Sequence, residues 1–224
     1  MIFRDRRDAG QQLALRLRQY RDEHPVILAL PRGGVPVGYE VASALAAPLD
    51  VLVVRKLGAP RQPELGIGAL VDGDHPEGVL NERTIAMLGV DRTHLRAEIE
   101  RETREIRRRE AAYRCGRPPL GLAGHIVIVV DDGLATGSTM RAALRGVRRR
   151  APKRLVLAVP VAPPDTLAAL ATEVDEIVCL HTPAEFDAVG RFYRDFEQTS
   201  DEEVVRLLAD ARHAAATARI AEMR

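Results

Sequence analysis

Residues 125–140, HIVIVVDDGLATGSTM, constrain the fold of this chain more than any other stretch. The apolar, β-branched run Ile126 to Val130 predicts a strand buried on both faces, as in a parallel sheet covered by helices. It ends in two adjacent carboxylates, Asp131 and Asp132. A loop of small and hydroxyl-bearing residues follows, and a helical pattern starts at Met140. Such a loop is suited to an anion, because the N–H groups at a helix start are unpaired and the helix dipole is positive there. Thr136, Ser138 and Thr139 add hydroxyl donors, and Gly137 permits close backbone approach. The two aspartates can accept hydrogen bonds from vicinal ribose hydroxyls or face a bound Mg²⁺. The stretch therefore predicts a seat for a sugar phosphate.

The pattern D-D-x-x-A-T-G-x-T-M after an apolar strand closely resembles the phosphoribosyl-diphosphate (PRPP) loop of type I phosphoribosyltransferases, in the wording of the adenine-type members. Other phosphate motifs do not fit. No G-x-x-x-x-G-K-[ST] is present, and Gly66-Ile67-Gly68 lacks the third glycine of a dinucleotide fingerprint. Neither H-E-x-x-H nor a paired C-x-x-C occurs, which argues against a dedicated zinc site.

Elsewhere the chain alternates strand-like and helix-like segments. Helices are expected at Arg4 to Glu23, Pro36 to Ala47, Arg92 to Arg114, Met140 to Arg150, Asp165 to Ala171 and Asp201 to Ala216. Strands are expected at Val26 to Leu30, Val51 to Val54, Leu155 to Val161 and Glu176 to Leu180. The expected fold class is α/β: a mostly parallel twisted sheet flanked by helices, with a flexible loop and a C-terminal hood. The 224 residues read as a single domain. Its core spans about 26–180, with a mobile insertion at about 57–82 and a cap at about 181–224. That insertion is rich in Gly, Pro and Asp, with little regular pattern beyond a hairpin around Ile67 to Val71.

In open parallel sheets, ligands sit beyond the carboxyl ends of the strands. Three expected strands end unusually, at Pro31-Arg32-Gly33-Gly34, at Arg55-Lys56 and at Asp131-Asp132. Arg32 with the bare amides of Gly33 and Gly34 forms a natural clamp for pyrophosphate. Arg55 and Lys56 add positive charge where a diphosphate would leave. Read alone, the first is also a plain strand-to-helix turn and the second an exposed basic pair.

The resemblance implies the roles. Ala135, Thr136, Gly137, Ser138 and Thr139 would hold the 5′-phosphate, Asp131 and Asp132 the ribose hydroxyls, and Arg32, Gly33, Gly34, Arg55 and Lys56 the pyrophosphate. Mg²⁺ would be the cofactor, with the aspartates as indirect ligands. Adenine-type relatives carry alanine at the position of Ala135 and use a glutamate of the mobile loop as general base. Glu64 is the candidate here, with a solvated loop carboxylate as the competing reading. The aromatic cluster in residues 181–196 offers Phe186, Phe192 and Tyr193 for an acceptor ring, or for ordinary packing.

The implied activity moves the phosphoribosyl group of PRPP to a nitrogen nucleophile, with a purine-type base as one candidate. The alternative is a PRPP-sensing regulator of the same fold that binds RNA or DNA, and a third reading is a sugar-phosphate phosphohydrolase. The net charge of +1 does not favour nucleic acid. Arg107 to Arg109 and Arg148 to Arg150 read as solvated helix faces. The charged start and the lack of a long apolar stretch suggest a cytoplasmic protein without a membrane partner. Cys115 and Cys179 read as ordinary thiols. A homodimer is the assembly the family suggests.

Overall fold

The computed structural model describes residues 2–60, 62–72 and 77–222. Five strands form an all-parallel sheet: β1 (Val26–Ala29), β2 (Leu49–Val51), β6 (Ile126–Val130), β7 (Arg154–Val161) and β8 (Glu176–His181). Their order is β2-β1-β6-β7-β8. The chain first winds outward from β1 to β2, then returns to the other side of β1 and winds the opposite way. The reversal between β1 and β6 is the topological switch point, where such sheets open a crevice beyond the strand ends. Register makes that rim level, because Ala29 pairs with both Val51 and Val130, and Val130 pairs with Ala158.

Each central strand is apolar throughout because both faces are covered. Ile27, Ala29, Ile128 and Val130 pack against α1 (Arg6–Arg16), α2 (Gly34–Leu45) and α7 (Asp201–Glu222), through Leu13, Val41, Leu45, Val204 and Leu207. Leu28, Val127 and Val129 face the other way, onto Met140, Leu144 and Val147 of α5 (Ser138–Arg149) and Leu170 of α6 (Pro164–Leu170). Burying a Val, Leu or Ile side chain is worth roughly 1.5–3 kcal/mol. The doubly covered strands therefore carry much of the stability.

The segment expected as an irregular insertion instead contains a second sheet. Strands β3 (Val54–Ala59), β4 (Gln62–Val71) and β5 (Glu77–Leu80) pair antiparallel in that order. The expected hairpin around Ile67 to Val71 is part of it. Ala69 and Val71 pack with α5, while Leu57 and Leu70 pack with Ile106 of α4 (Arg92–Arg114). A short helix, α3 (Glu82–Leu88), capped by the Asn81 side chain, joins this sheet to α4. Arg55 and Lys56 consequently lie within β3 and do not end a core strand, since β2 stops at Val51. The N-terminal helix is likewise shorter than expected, with a 3₁₀ turn over Arg18–Glu23 completing it. Among the described residues no helix is long and apolar enough to cross a membrane.

Candidate active site

The site is built at the switch point from two strand-to-helix turns. After β1, Leu30 N–H donates to the Val130 carbonyl at 2.9 Å, which holds the two strand ends together. The chain then turns through Pro31, Arg32 and Gly33 into α2, with a cis peptide between Pro31 and Arg32. After β6, the acid pair and the loop 133–137 lead into α5, whose first residue is Ser138. The start of α5 presents N–H groups without helical acceptors, whereas at α2 the Gly34 amide expected to be bare already donates to Leu30 O at 3.0 Å and Val35 N–H donates to Arg32 O at 3.1 Å.

The turns touch. A side-chain carbon placed on Gly33 would fall 2.1 Å from Asp132 Oδ2, and one on Gly34 would fall 3.1 Å from Asp131 Oδ1. The glycines are therefore required for the acid pair to lie against the first turn. Gly137, at φ +68°, supplies the left-handed residue that turns the loop into α5. The loop is anchored at two adjacent residues. Thr166 Oγ1 donates to Ala135 O at 2.6 Å, and Leu134 N–H donates to Val161 O at 2.9 Å. Ala135, Thr136 and Ser138 remain exposed, and the Thr136 and Ser138 hydroxyl oxygens lie 3.4 Å apart.

Burial pushes both aspartate carboxyls above the usual carboxylate range. For Asp131 the neighbouring Asp132 charge adds to that push, whereas at Asp132 the Arg6 guanidinium opposes it. Arg6 Nε donates to Asp132 Oδ2 at 2.8 Å. Nothing in the local sequence pointed to Arg6, which stands on α1 far from the motif.

The remaining expected residues divide. Arg32 is partly exposed, with Nη1 3.8 Å from Asp201 Oδ1 at the start of α7. Arg55 is committed elsewhere: its Nε donates at 2.6 Å to Glu102, a nearly buried carboxylate of α4. Lys56 is exposed on β3 and has no partner among the described residues. Glu64 falls in β4, but its side chain lies outside the described residues.

In the hood, Tyr193 takes the packing reading of the two that its sequence allows. This side chain is buried against Phe3 and Phe196, and its hydroxyl donates to the Asp132 carbonyl. Burial and the nearby Asp132 charge raise its pKa, so it stays a donor. It braces the acid pair through that bond. Phe186 stacks on Phe192 with centroids 5.3 Å apart, and His181 meets Phe192 edge-on at 5.6 Å. Val189 closes over the loop, 2.6 Å from where a side-chain carbon on Gly133 would be.

Comparison with known proteins gives this arrangement a family. A sequence model described as the phosphoribosyl transferase domain matches residues 6–191. A Mycobacterium tuberculosis protein, found in two strains and named provisionally as a phosphoribosyl transferase, is 50% identical over 207 residues. That stretch is 92% of this chain and 46% of the relative, so the chain spans about half the length of the curated relatives it matches. Among solved structures, TT1426 from Thermus thermophilus is 44% identical with a TM-score of 0.82, covering 94% of this chain and 99% of that one. A Neisseria gonorrhoeae protein solved with bound ppGpp shows likeness of fold alone, at 14% identity and a TM-score of 0.51 over 94% and 97% of the two chains. With the family match running over most of its length and a PRPP-loop sequence at the switch point of its sheet, the chain belongs to the type I phosphoribosyltransferases.

Proposed function

We propose that the protein transfers the 5-phosphoribosyl group of PRPP to a nitrogen nucleophile and releases pyrophosphate. The observation that carries this reading is the contact between the Arg32-Gly33-Gly34 turn and the Asp131-Asp132 pair at the switch point. A ribose whose hydroxyls meet the aspartates would place its 5′-phosphate on the start of α5 and its diphosphate on the start of α2. The anomeric carbon would then lie between the two turns, exposed to a nucleophile from the hood side.

Displacement there passes through an oxocarbenium-like transition state, as in other glycosyl chemistry. The chain's part is to hold the ribose phosphate, orient the sugar and stabilise the departing diphosphate with amides and cations. Arg32 is the cation proposed for that last task, with Lys56 as a further one. Glu64 remains the proposed general base. Phe186, stacked on Phe192 beside His181, is the proposed acceptor platform.

Among the described residues, no group of three or more His, Cys, Asp or Glu is arranged to hold a metal. The donors at the rim are two carboxylates, which fits a Mg²⁺ held mainly by substrate oxygens and water, with Asp131 and Asp132 as outer partners. When bound, the ion would neutralise diphosphate charge. The arginines expected to be solvated are mostly neutralised: Arg108 and Arg109 bind Glu105, Arg148 binds Asp175, and Arg150 binds Asp72. That pairing supports a small-molecule enzyme over a nucleic-acid-binding regulator.

The test is pyrophosphate release from PRPP and Mg²⁺ across a panel of nucleobases and small amines. Acceptor-dependent release that is lost in Asp131→Asn and Asp132→Asn is expected. Unchanged activity in both variants would remove the site, and release without any acceptor would favour a hydrolase.

A further inference from the structure

Arg6 sits in the first turn of α1, 126 positions before Asp132, yet its head group is enclosed at the rim of the sheet. Besides the 2.8 Å bond from Nε to Asp132 Oδ2, Nη1 donates to the Glu197 carbonyl at 2.6 Å. The guanidinium carbon lies 3.8 Å from the centre of the Phe196 ring. The side chains of Arg6 and Asp132 are only 12% and 14% exposed. Nε also lies 3.1 Å from where a side-chain carbon on Gly33 would be, so the same nitrogen borders the first turn.

Residues 3–4 and the segment 192–197 set this position together. Phe3 N–H donates to the Phe192 carbonyl, Arg194 N–H to Phe3 O, and Asp195 N–H to Arg4 O. The paired segments hold Phe196 and Glu197 where they receive Arg6. A largely buried arginine fixed at three points costs desolvation and side-chain entropy. Packing of α1 does not need it, because Ala9, Leu13 and Ala14 bury that helix while Arg7 is exposed.

We propose that Arg6 is a positioning residue for PRPP: it fixes the Asp132 carboxylate against the Gly33 turn and adds a cation at its lip. The proposal rests on the phosphoribosyl-transfer reading above. Arg6 occupies Oδ2, which leaves Oδ1 for a ribose hydroxyl. It also offsets the repulsion between Asp131 and Asp132, which adjoin a diphosphate already rich in negative charge. Lysine could not replace it, since a single ammonium cannot make both directed bonds while stacking on the ring.

The test compares Arg6→Gln, Arg6→Lys and Arg7→Gln by calorimetric affinity for PRPP with and without Mg²⁺, by KM and kcat, and by urea unfolding. Arg6→Gln is expected to weaken PRPP binding and raise its KM by roughly ten- to a hundredfold, the range for losing a charge-assisted hydrogen bond. At saturating PRPP kcat should fall less. Arg6→Lys should recover little, and Arg7→Gln should match the wild type. In a double-variant cycle, adding Arg6→Gln to Asp132→Asn should cost little more than Asp132→Asn alone, because both remove one interaction. Unchanged affinity in Arg6→Gln, additive losses, or tighter binding (which would mean that the pair blocks the site) would each overturn the proposal.

Should Arg6→Gln unfold, Phe196→Ala carries the test, since it removes the ring beneath the guanidinium and leaves both charges. Its PRPP affinity should drop several-fold, and an unchanged value refutes the idea. A wild type that does not bind PRPP brings down the phosphoribosyl reading itself. Binding by the wild type together with an indifferent Arg6 variant brings down Arg6 alone.

Discussion

Replacing Gly33 by alanine separates activity from stability. Gly33 has φ −61° and ψ −31°, ordinary helical values that alanine adopts without strain. The obstacle is space, because the new Cβ would lie 2.1 Å from Asp132 Oδ2 and 2.8 Å from its Cγ. Attractive contact between non-bonded heavy atoms sits at roughly 3.5 Å, so the carboxylate must withdraw by about 1 Å or more. That motion breaks the 2.8 Å bond from Arg6 and swings Asp132 away from any ribose beneath it. A misplacement of about 1 Å can cost on the order of a hundredfold in rate, and this is the loss expected in kcat/KM for PRPP.

Stability should change far less in Gly33→Ala. Local overpacking costs about 1–3 kcal/mol, partly offset by about 0.4–1 kcal/mol from restricting the unfolded chain. The assay pairs steady-state kinetics with urea unfolding, and Gly121→Ala serves as control because nothing lies within 4 Å of its added carbon. Wild-type kinetics in Gly33→Ala would refute the contact between the two turns. A loss of activity that merely tracks loss of folded protein would refute the separation.

Two further outcomes follow from the buried charges. Arg114 is 5% exposed and bonds Asp50, Asp72, Glu110 and the Val51 carbonyl, so Arg114→Met should destabilise the fold by about 3–5 kcal/mol, as uncompensated buried carboxylates do; an unfolding free energy within about 1 kcal/mol of wild type would sink this. Asp131 and Asp132 have folded-state pKa values raised by burial, so the folded protein keeps protons that the unfolded chain releases. Their contribution is complete below the ordinary carboxylate value and fades as pH rises through the raised ones. Asp131→Asn removes one such group, so its stability relative to wild type should grow as pH rises above the ordinary carboxylate value of about 4; a pH-independent difference in urea midpoints would contradict the sign.

What could be read from the sequence was local in kind. Ile126 to Val130, the acid pair and the loop into α5 occupy one short run, so strand, turn and helix start are visible together, and the structure places β6 at Ile126–Val130. The same holds for the turn after β1 and for α4 over Arg92–Arg114, whose helical spacing is unbroken. Arg6 and Phe3 left no such trace. Arg6 reaches Asp132 and Phe3 reaches Tyr193 across most of the chain, and an arginine in an amphipathic helix looks like any solvated cation until the fold closes over it. Tyr193 was legible as an aromatic near the final strand but not as a donor to the Asp132 carbonyl, because that choice depends on where residues 2–4 pair.

The second sheet was hidden for another reason, and its placement bears on the site. Leu52 N–H completes the parallel ladder by donating to Ala29 O, while the Val53 carbonyl accepts from Asp72 N–H in the antiparallel one. One apolar run thus serves two sheets, and periodicity alone cannot divide it. A bulge also interrupts the alternation, since Leu57 pairs with Gly68 but Gly58 pairs with Gly66. Asp72, at the end of β4, accepts from both Arg114 of α4 and Arg150 just past α5. Helix α5, which begins at the proposed phosphate loop, is therefore held at its far end by the second sheet and at its near end by Thr166 on the Ala135 carbonyl. If the loop's N–H groups meet a phosphate as proposed, they do so with least reorganisation on a helix fixed at both ends, and the buried ion cluster supplies the fixed point that the loop's own sequence does not reveal.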